Sequence, residues 1–298
     1  MNRIVATTAL LLGASSLLAC GDTERQQDGA SRAIDGVVLI SNAEGGDKAT
    51  LQDPALIESA WFSYDDLAEC DNMNPIGETL PPGGDGFYTT QYGSAGVTPP
   101  AETAGQSANA YGVRLSGTAH SMWGAGMGFD LAKGQEMNLM DPQRQFVGLR
   151  FLGYAPTPQS VKVKLQDALS VPSGNVCQPR DESLCDDQGC YNAPFITVEL
   201  GPEWKEYRVF FTETVSDNPN TPAVEMGPMA RESTWGIAKA GAMLDGMPVD
   251  DARLRAEPPR VDKAYQIQFE TSVGSQDFDV WLDNVGFIID GEAADTAG

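Results

Sequence analysis

The chain of 298 residues contains one histidine, His120, and only 19 Lys and Arg against 42 Asp and Glu, a formal net charge of −23 at pH 7. One histidine excludes zinc sites built on several imidazoles and leaves His120 as the sole imidazole base. The shortage of cations argues against nucleic acid, whose phosphates need a basic face. It also disfavours acidic polysaccharides and bare anionic membranes. Neutral ligands and divalent cations stay open. No P-loop, G-x-S-x-G or G-x-G-x-x-G stands in its strand–helix context, which removes the usual signatures of phosphate binding and of α/β-hydrolase chemistry. No long segment of helical period stands out either. What is present is enough for a packed core, with 41% hydrophobic and 8% aromatic residues. The length suits two average domains or one large all-β domain.

The N-terminus reads as an address. Asn2-Arg3 precede an apolar run from Ile4 to Leu18. The run is short for a membrane span and fits the h-region of a secretory signal. It ends in Leu17-Leu18-Ala19-Cys20, which resembles the lipobox of bacterial lipoproteins. That resemblance implies cleavage after residue 19, acylation of Cys20 with palmitate-type chains, and a lipid anchor, with display from the outer membrane. The other reading is an ordinary signal peptide with a chance cysteine. Residues 20–33 lack large apolar side chains and read as a lipidated flexible tether. Residues 291–298 read as a disordered tail.

Five cysteines leave one over in an exported protein. With Cys20 lipidated, Cys70, Cys177, Cys185 and Cys190 remain, enough for two disulfides in an oxidising compartment. A Cys₄ metal site is the alternative, although the spacings lack paired C-x₂-C knuckles.

Between tether and tail the pattern is strand after strand. Ser160–Gln166 and Ala264–Glu270 alternate apolar and polar residues at period 2, the mark of a half-buried strand. Phe146–Tyr154, Phe195–Leu200, Glu206–Phe211 and Phe278–Ile289 are rich in β-branched and aromatic residues. Ile34–Ile40, Ala60–Tyr64, Phe87–Gln91, Tyr111–Ala119 and Gly126–Leu131 add earlier candidates. Short helices are expected at Asp53–Ala60 and Ser233–Leu244. Roughly ten strands with turn signals between them predict one jelly-roll β-sandwich domain with long loops, over residues 34–290. Two stretches break the rhythm. Cys177–Cys190 is a cysteine-rich loop. Thr214–Lys263 is a long connection read as a lid or partner surface, or as a tolerated insertion.

The order of five local patches resembles the jelly-roll carbohydrate-binding modules of the galactose-binding-like group, and more narrowly the secreted myxobacterial proteins that carry them. The patches are Ile40-Ser41-Asn42-Ala43-Glu44-Gly45-Gly46-Asp47, Ala60-Trp61-Phe62-Ser63-Tyr64-Asp65-Asp66, Trp123-Gly124-Ala125-Gly126-Met127-Gly128-Phe129, Cys190-Tyr191-Asn192 ahead of Glu203-Trp204-Lys205-Glu206-Tyr207, and Val280-Trp281-Leu282-Asp283-Asn284-Val285-Gly286-Phe287. The resemblance implies a Cys177–Cys190 disulfide, which leaves Cys70 for Cys185. It also implies a structural Ca²⁺ between the opening and closing strands, with Asn42, Glu44, Asp47 and Asp283 as oxygen ligands. The plain alternative for those residues is a solvated acidic patch.

Sugars are held by aromatic platforms and by polar groups that read hydroxyls. Tyr64, Tyr191 and Trp235, beside Asp65 and Asn192, are the expected ligand-binding residues. Trp123, Trp204 and Trp281 lie in apolar patches and are read as core. Gln266 and Gln268 share a strand face that lines a cleft or simply meets water. No catalytic residue is assigned. Ser121, next to His120, would point to the opposite face of a strand, and no carboxylate pair stands out among so many. The sequence therefore predicts a non-catalytic surface lipoprotein that binds a neutral glycan or a related surface ligand. The alternatives are a structural or adhesion lipoprotein with a surface-protein partner, and a jelly-roll enzyme that cleaves glycans.

Overall fold

In the computed structural model the described residues are 36–41, 43, 48–50, 58–65, 79–80, 89–101, 110–117, 125–141, 144–179, 189–215, 222–271 and 277–290. They form strands β1 (Val37–Ser41), β2 (Lys48–Thr50), β3 (Glu58–Asp65), β4 (Thr79–Leu80), β5 (Thr89–Gln91), β6 (Tyr111–Gly117), β7 (Ala125–Asp130), β8 (Met140–Asp141), β9 (Arg144–Tyr154), β10 (Gln159–Asp167), β11 (Phe195–Leu200), β12 (Lys205–Phe210), β13 (Ala223–Met226), β14 (Met243–Leu244), β15 (Met247–Pro248), β16 (Ala264–Thr271) and β17 (Phe278–Ile289). Two short helices, α1 (Tyr92–Ala95) and α2 (Asp251–Ala256), complete the regular structure with three single 3₁₀ turns.

Two sheets make the sandwich. One has nine strands in the order β13-β12-β9-β17-β6-β4, with β1 on β17, β5 on β6 and β8 on β9. The other has six, in the order β11-β10-β16-β7-β3-β2. Pairing is antiparallel throughout except for the β12–β13 pair. The chain passes repeatedly from one sheet to the other, as from β9 to β10, β11 to β12 and β16 to β17.

The period-2 pattern explains which residues meet in the middle. Val161, Val163 and Leu165 of β10, Ile267 and Phe269 of β16 and Met127 and Phe129 of β7 turn inward from the six-stranded sheet. Leu149 and Phe151 of β9 and Val280, Leu282, Val285 and Phe287 of β17 face them. Phe151 and Phe269 meet edge to face across the gap, with centroids 5.2 Å apart. Strand β17 keeps its apolar face inward by changing step. The ladder to β9 shifts between Asp283 and Gly286, and Asn284 there adopts φ 49°. This bulge moves the core-facing positions from even to odd numbers.

The long connection is folded rather than loose. Leu169, Val176, Cys177, Cys190, Ala242, Leu244, Val249 and Leu254 form a second, smaller apolar cluster. The Cys177–Cys190 disulfide lies inside it. The helix expected at Ser233–Leu244 does not form. Gly236 and Gly241 there take φ of 107° and 76°, outside any right-handed helix. Helix α2 forms further on, where the Asp250 carboxylate accepts from the Arg253 amide at 2.8 Å. Of the helix expected at Asp53–Ala60, residues 58–60 belong to β3, and the rest lies outside the described residues.

Candidate functional site

The outward face of the six-stranded sheet carries the site. On β10 the outward positions are Lys162, Lys164 and Gln166; on β16 they are Gln266, Gln268 and Glu270. Register sets Lys164 opposite Gln268 and Gln166 opposite Gln266. On the other side of β16, Gln266 faces Asp130, Gln268 faces Gly128 and Glu270 faces Gly126. Strand β3 follows, with Phe62 opposite Gly128 and Tyr64 opposite Gly126. Gly126 leaves the space into which the Tyr64 ring leans, and at Gly128 a side chain would meet the Ile267 carbonyl and Gln268. A Cβ on Gly126 would come within 2.3 Å of the Tyr64 ring.

The amides form a chain. Gln166 Nε2 donates to Gln268 Oε1 at 2.9 Å, Gln268 Nε2 to Gln266 Oε1 at 2.8 Å, and Gln266 Nε2 to Asp130 Oδ1 at 2.7 Å. Beside it, Lys164 Nζ donates to Glu270 Oε2 at 2.7 Å. Lys162 Nζ approaches Glu270 Oε1 at 3.9 Å and lies 5.0 Å from the Phe195 ring centroid. The Tyr64 hydroxyl reaches Gln268 Oε1 at 3.2 Å and Glu270 Oε2 at 3.4 Å. Burial first, then the Glu270 charge and the hydrogen bond to it, push the Tyr64 pKa well above its ordinary value. Tyr64 therefore stays a neutral donor. Phe62 and Tyr64 pack with centroids 6.3 Å apart and rings tilted by 41°. Both are half-buried, as are Gln266 and Asp130, whereas Gln166, Gln268, Glu270 and Lys164 form a buried floor. Gln166 Oε1 is enclosed and has no hydrogen-bond partner among the described residues. Aromatic faces beside polar groups of fixed direction suit the C–H faces and hydroxyls of a sugar.

The expected platform is divided. Tyr64 belongs to this face, and Asp65 follows it on β3, paired with Ala125. Tyr191 precedes β11 at the opposite edge of the sheet, four strand spacings or roughly 19 Å away. It is 46% exposed and does not join Tyr64 in one platform. Asn192 is buried. Its Nδ2 donates to the carbonyls of Glu232 and Trp235 at 2.9 and 2.6 Å, and its Oδ1 accepts from the Glu232 amide at 3.1 Å. That side chain is committed to holding the long connection, with half-buried Trp235 on the same segment. Close by, the buried Asp167 and Arg231 form an ion pair, and Arg231 also donates to the Asn192 carbonyl at 2.7 Å.

Trp204 is not core. It is half-buried on the outside of the nine-stranded sheet, stacked on Tyr154 at 5.2 Å, and its Nε1 donates to the Thr98 carbonyl at 2.8 Å. Trp281 is fully buried, but under Tyr92 and Arg114 rather than between the sheets. Of the expected Ca²⁺ ligands, Asn42, Glu44 and Asp47 lie outside the described residues. The Asp283 carboxylate accepts from the Tyr92 hydroxyl at 2.9 Å and the Asn284 amide at 2.7 Å. Among the described residues no group of three or more His, Cys, Asp or Glu comes together as a metal site. Cys20, Cys70, Cys185, His120, Ser121 and Trp123 also lie outside the described residues.

No protein-family model matches the chain, and no curated protein matches it by sequence. Solved structures give distant likenesses. A family 11 carbohydrate-binding module from Clostridium thermocellum, in complex with a β-1,3-1,4-mixed-linked tetrasaccharide, is 11% identical over 76% of this chain and 88% of its own, with a TM-score of 0.38. The CtCBM11 module solved in solution is 11% identical over 88% of this chain and 99% of its own, with a TM-score of 0.40. The agarase AgWH50C is 11% identical over 59% of this chain and 22% of its own, with a TM-score of 0.35. With identities and scores this low, function is read from the site's own residues.

Proposed function

We propose that this protein is a non-catalytic glycan-binding module, exported and lipid-anchored at Cys20, that holds a neutral oligosaccharide on the outward face of the six-stranded sheet. The observation that carries this reading is the pairing of Phe62 and Tyr64 with the Gln166–Gln268–Gln266–Asp130 chain across Gly126 and Gly128. The net charge of −23 favours a neutral ligand.

A hydrolytic role fits the two carboxylates of this face poorly. Glu270 is four ladder positions from the partner of Asp130, about 13 Å at roughly 3.3 Å per residue. Paired carboxylates that cleave glycosides stand about 5–9.5 Å apart.

The test is a glycan array probed with the mature chain carrying Cys20→Ser, with a mixed-linked β-1,3-1,4-glucan tetrasaccharide among the neutral ligands. Binding that disappears in Phe62→Ala and Tyr64→Ala supports the reading. Binding untouched by both variants removes it from this face. Release of new reducing ends would replace a binder with an enzyme. For the anchor, Cys20→Ser moves the protein out of the membrane fraction, and unchanged detergent partitioning overturns that part.

A further inference from the structure

The polarity of the amide chain follows from one residue. A carboxylate only accepts, so Asp130 obliges Gln266 to present its Nε2. The Gln266 carbonyl then turns to Gln268, which must donate in turn, and Gln166 must donate to Gln268. The chain thus ends at Gln166 Oε1, the atom left without a partner among the described residues. Every amide in the row is fixed in direction, and the charge of Asp130 polarises the row toward stronger acceptors.

At the half-buried end of this chain, Gln266 Nε2 and Asp130 Oδ1 stand 2.7 Å apart, on the outward face that also carries Phe62, which pairs with Gly128 two residues from Asp130. The amide nitrogen has a second N–H beyond the one given to Asp130, and a carboxylate accepts several hydrogen bonds at once. A donor and an acceptor at that spacing match two neighbouring hydroxyls, one accepting and one donating. An acidic sugar would bring its charge beside Asp130, and the buried Lys164 is already held by Glu270.

We infer that Gln266 and Asp130 form a subsite for two adjacent hydroxyls of a neutral pyranose stacked on Phe62, with Gln268 and Gln166 as positioning residues behind them. This rests on the glycan reading of the same face and goes beyond it in naming the sugar feature recognised.

The experiment is calorimetric titration of the mature Cys20→Ser chain with the neutral oligosaccharide that binds best on the array, the mixed-linked tetrasaccharide first, and with its two monodeoxy analogues at adjacent hydroxyls. Removing either hydroxyl weakens wild-type binding roughly tenfold, the worth of one well-made hydrogen bond. In Gln266→Leu the parent sugar binds roughly tenfold more weakly, and the analogue lacking the hydroxyl that accepts from Gln266 loses nothing further, because its partner is already gone, while the analogue lacking the hydroxyl that donates to Asp130 still binds more weakly. Gln166→Met, which touches no sugar, narrows the gap between parent and deoxy sugars while the melting temperature shows that the fold persists. Equal deoxy losses in wild type and Gln266→Leu overturn the subsite and leave the glycan reading standing. An oligosaccharide lost in Phe62→Ala but unaffected by Gln266→Leu and Asp130→Asn does the same. Failure of every neutral oligosaccharide to bind overturns both.

Discussion

The two apolar clusters of this molecule are held together by different forces. Between the sheets, large side chains such as Phe129, Phe151, Phe269 and Phe287 are sealed from water and packed ring on ring. Such a core needs no directional help, because burial of a side chain of that size contributes about 1.5–3 kcal/mol. The cluster under the long connection consists of small and medium residues around a disulfide. Its position is set by bonds with direction. The Asp167 carboxylate accepts from Arg231, from the Leu169 amide at 3.0 Å and from the Arg260 amide at 2.8 Å, while Asn192 grips residues 232 and 235. Apolar area makes the sandwich, and polar geometry attaches the appendage to it.

Several substitutions separate these two modes. Phe269→Ala should cost about 3–5 kcal/mol and lower the urea midpoint of the whole domain, since it opens a cavity between the sheets. Arg231→Met should cost a similar amount, about 3–5 kcal/mol, by leaving Asp167 buried without its counter-charge. Its signature is different: proteolysis should begin within residues 227–263 while far-UV circular dichroism of the sandwich persists. Simultaneous cleavage of both regions would show that they unfold as one unit. Replacing Asp167 as well should recover only part of the loss, because the amides of Leu169 and Arg260 then lack their acceptor.

Reducing Cys177–Cys190 should cost less, about 2–3 kcal/mol for a loop this short. The measurement is thermal melting with and without reductant, and an unchanged melt would assign the attachment to the polar clamp alone. Asn192→Ala should cost about 1–3 kcal/mol through the backbone groups it leaves unmatched.

The smallest effect is titrational. Burial first, then the nearby Glu199 charge, push Tyr207 up to about 12. A phenol whose folded pKa is raised contributes stability that is complete below pH 10 and fades as pH rises toward 12. Tyr207→Phe should therefore flatten the alkaline limb of the stability curve, read by denaturant unfolding from pH 9 to 12. Tyr64, also raised, is the internal comparison, and Tyr64→Phe should act in the same direction.

Strand identity was legible because period 2 survives wherever one face is buried. Ala264–Thr271 and Gln159–Asp167 stand close to where alternation places them. The outward polarity of Gln266 and Gln268 was legible for the same reason. Phe62, Gln166, Lys164 and Asp130 were not recognised as site residues, because their proximity depends on the neighbour order β10-β16-β7-β3, and alternation carries no information about neighbours. The signal available was the run of polar outward positions on two separate strands, which becomes a site only once they are paired. Asn192 had a polar side chain in an apolar setting, and sequence alone does not distinguish a reader of ligand hydroxyls from a reader of its own backbone. The long connection looked structureless because its order comes from single contacts, Asp167–Arg231 above all, rather than from any repeat.

The bulge at Asp283–Asn284 behaves like a frame shift written into a strand. Before it, Phe278–Leu282 lie against β6; after it, Val285–Ile288 lie against β1, and β9 runs along the other edge of both halves. The extra residue keeps both halves in phase with the core. An unbroken ladder through these same residues, without the bulge, would turn the second half over, sending Val285 and Phe287 outward and Gly286 and Ile288 in. Side-chain identity at this point thus matters less than the count of residues. The odd spacing from Leu282 to Val285 is what makes the bulge necessary.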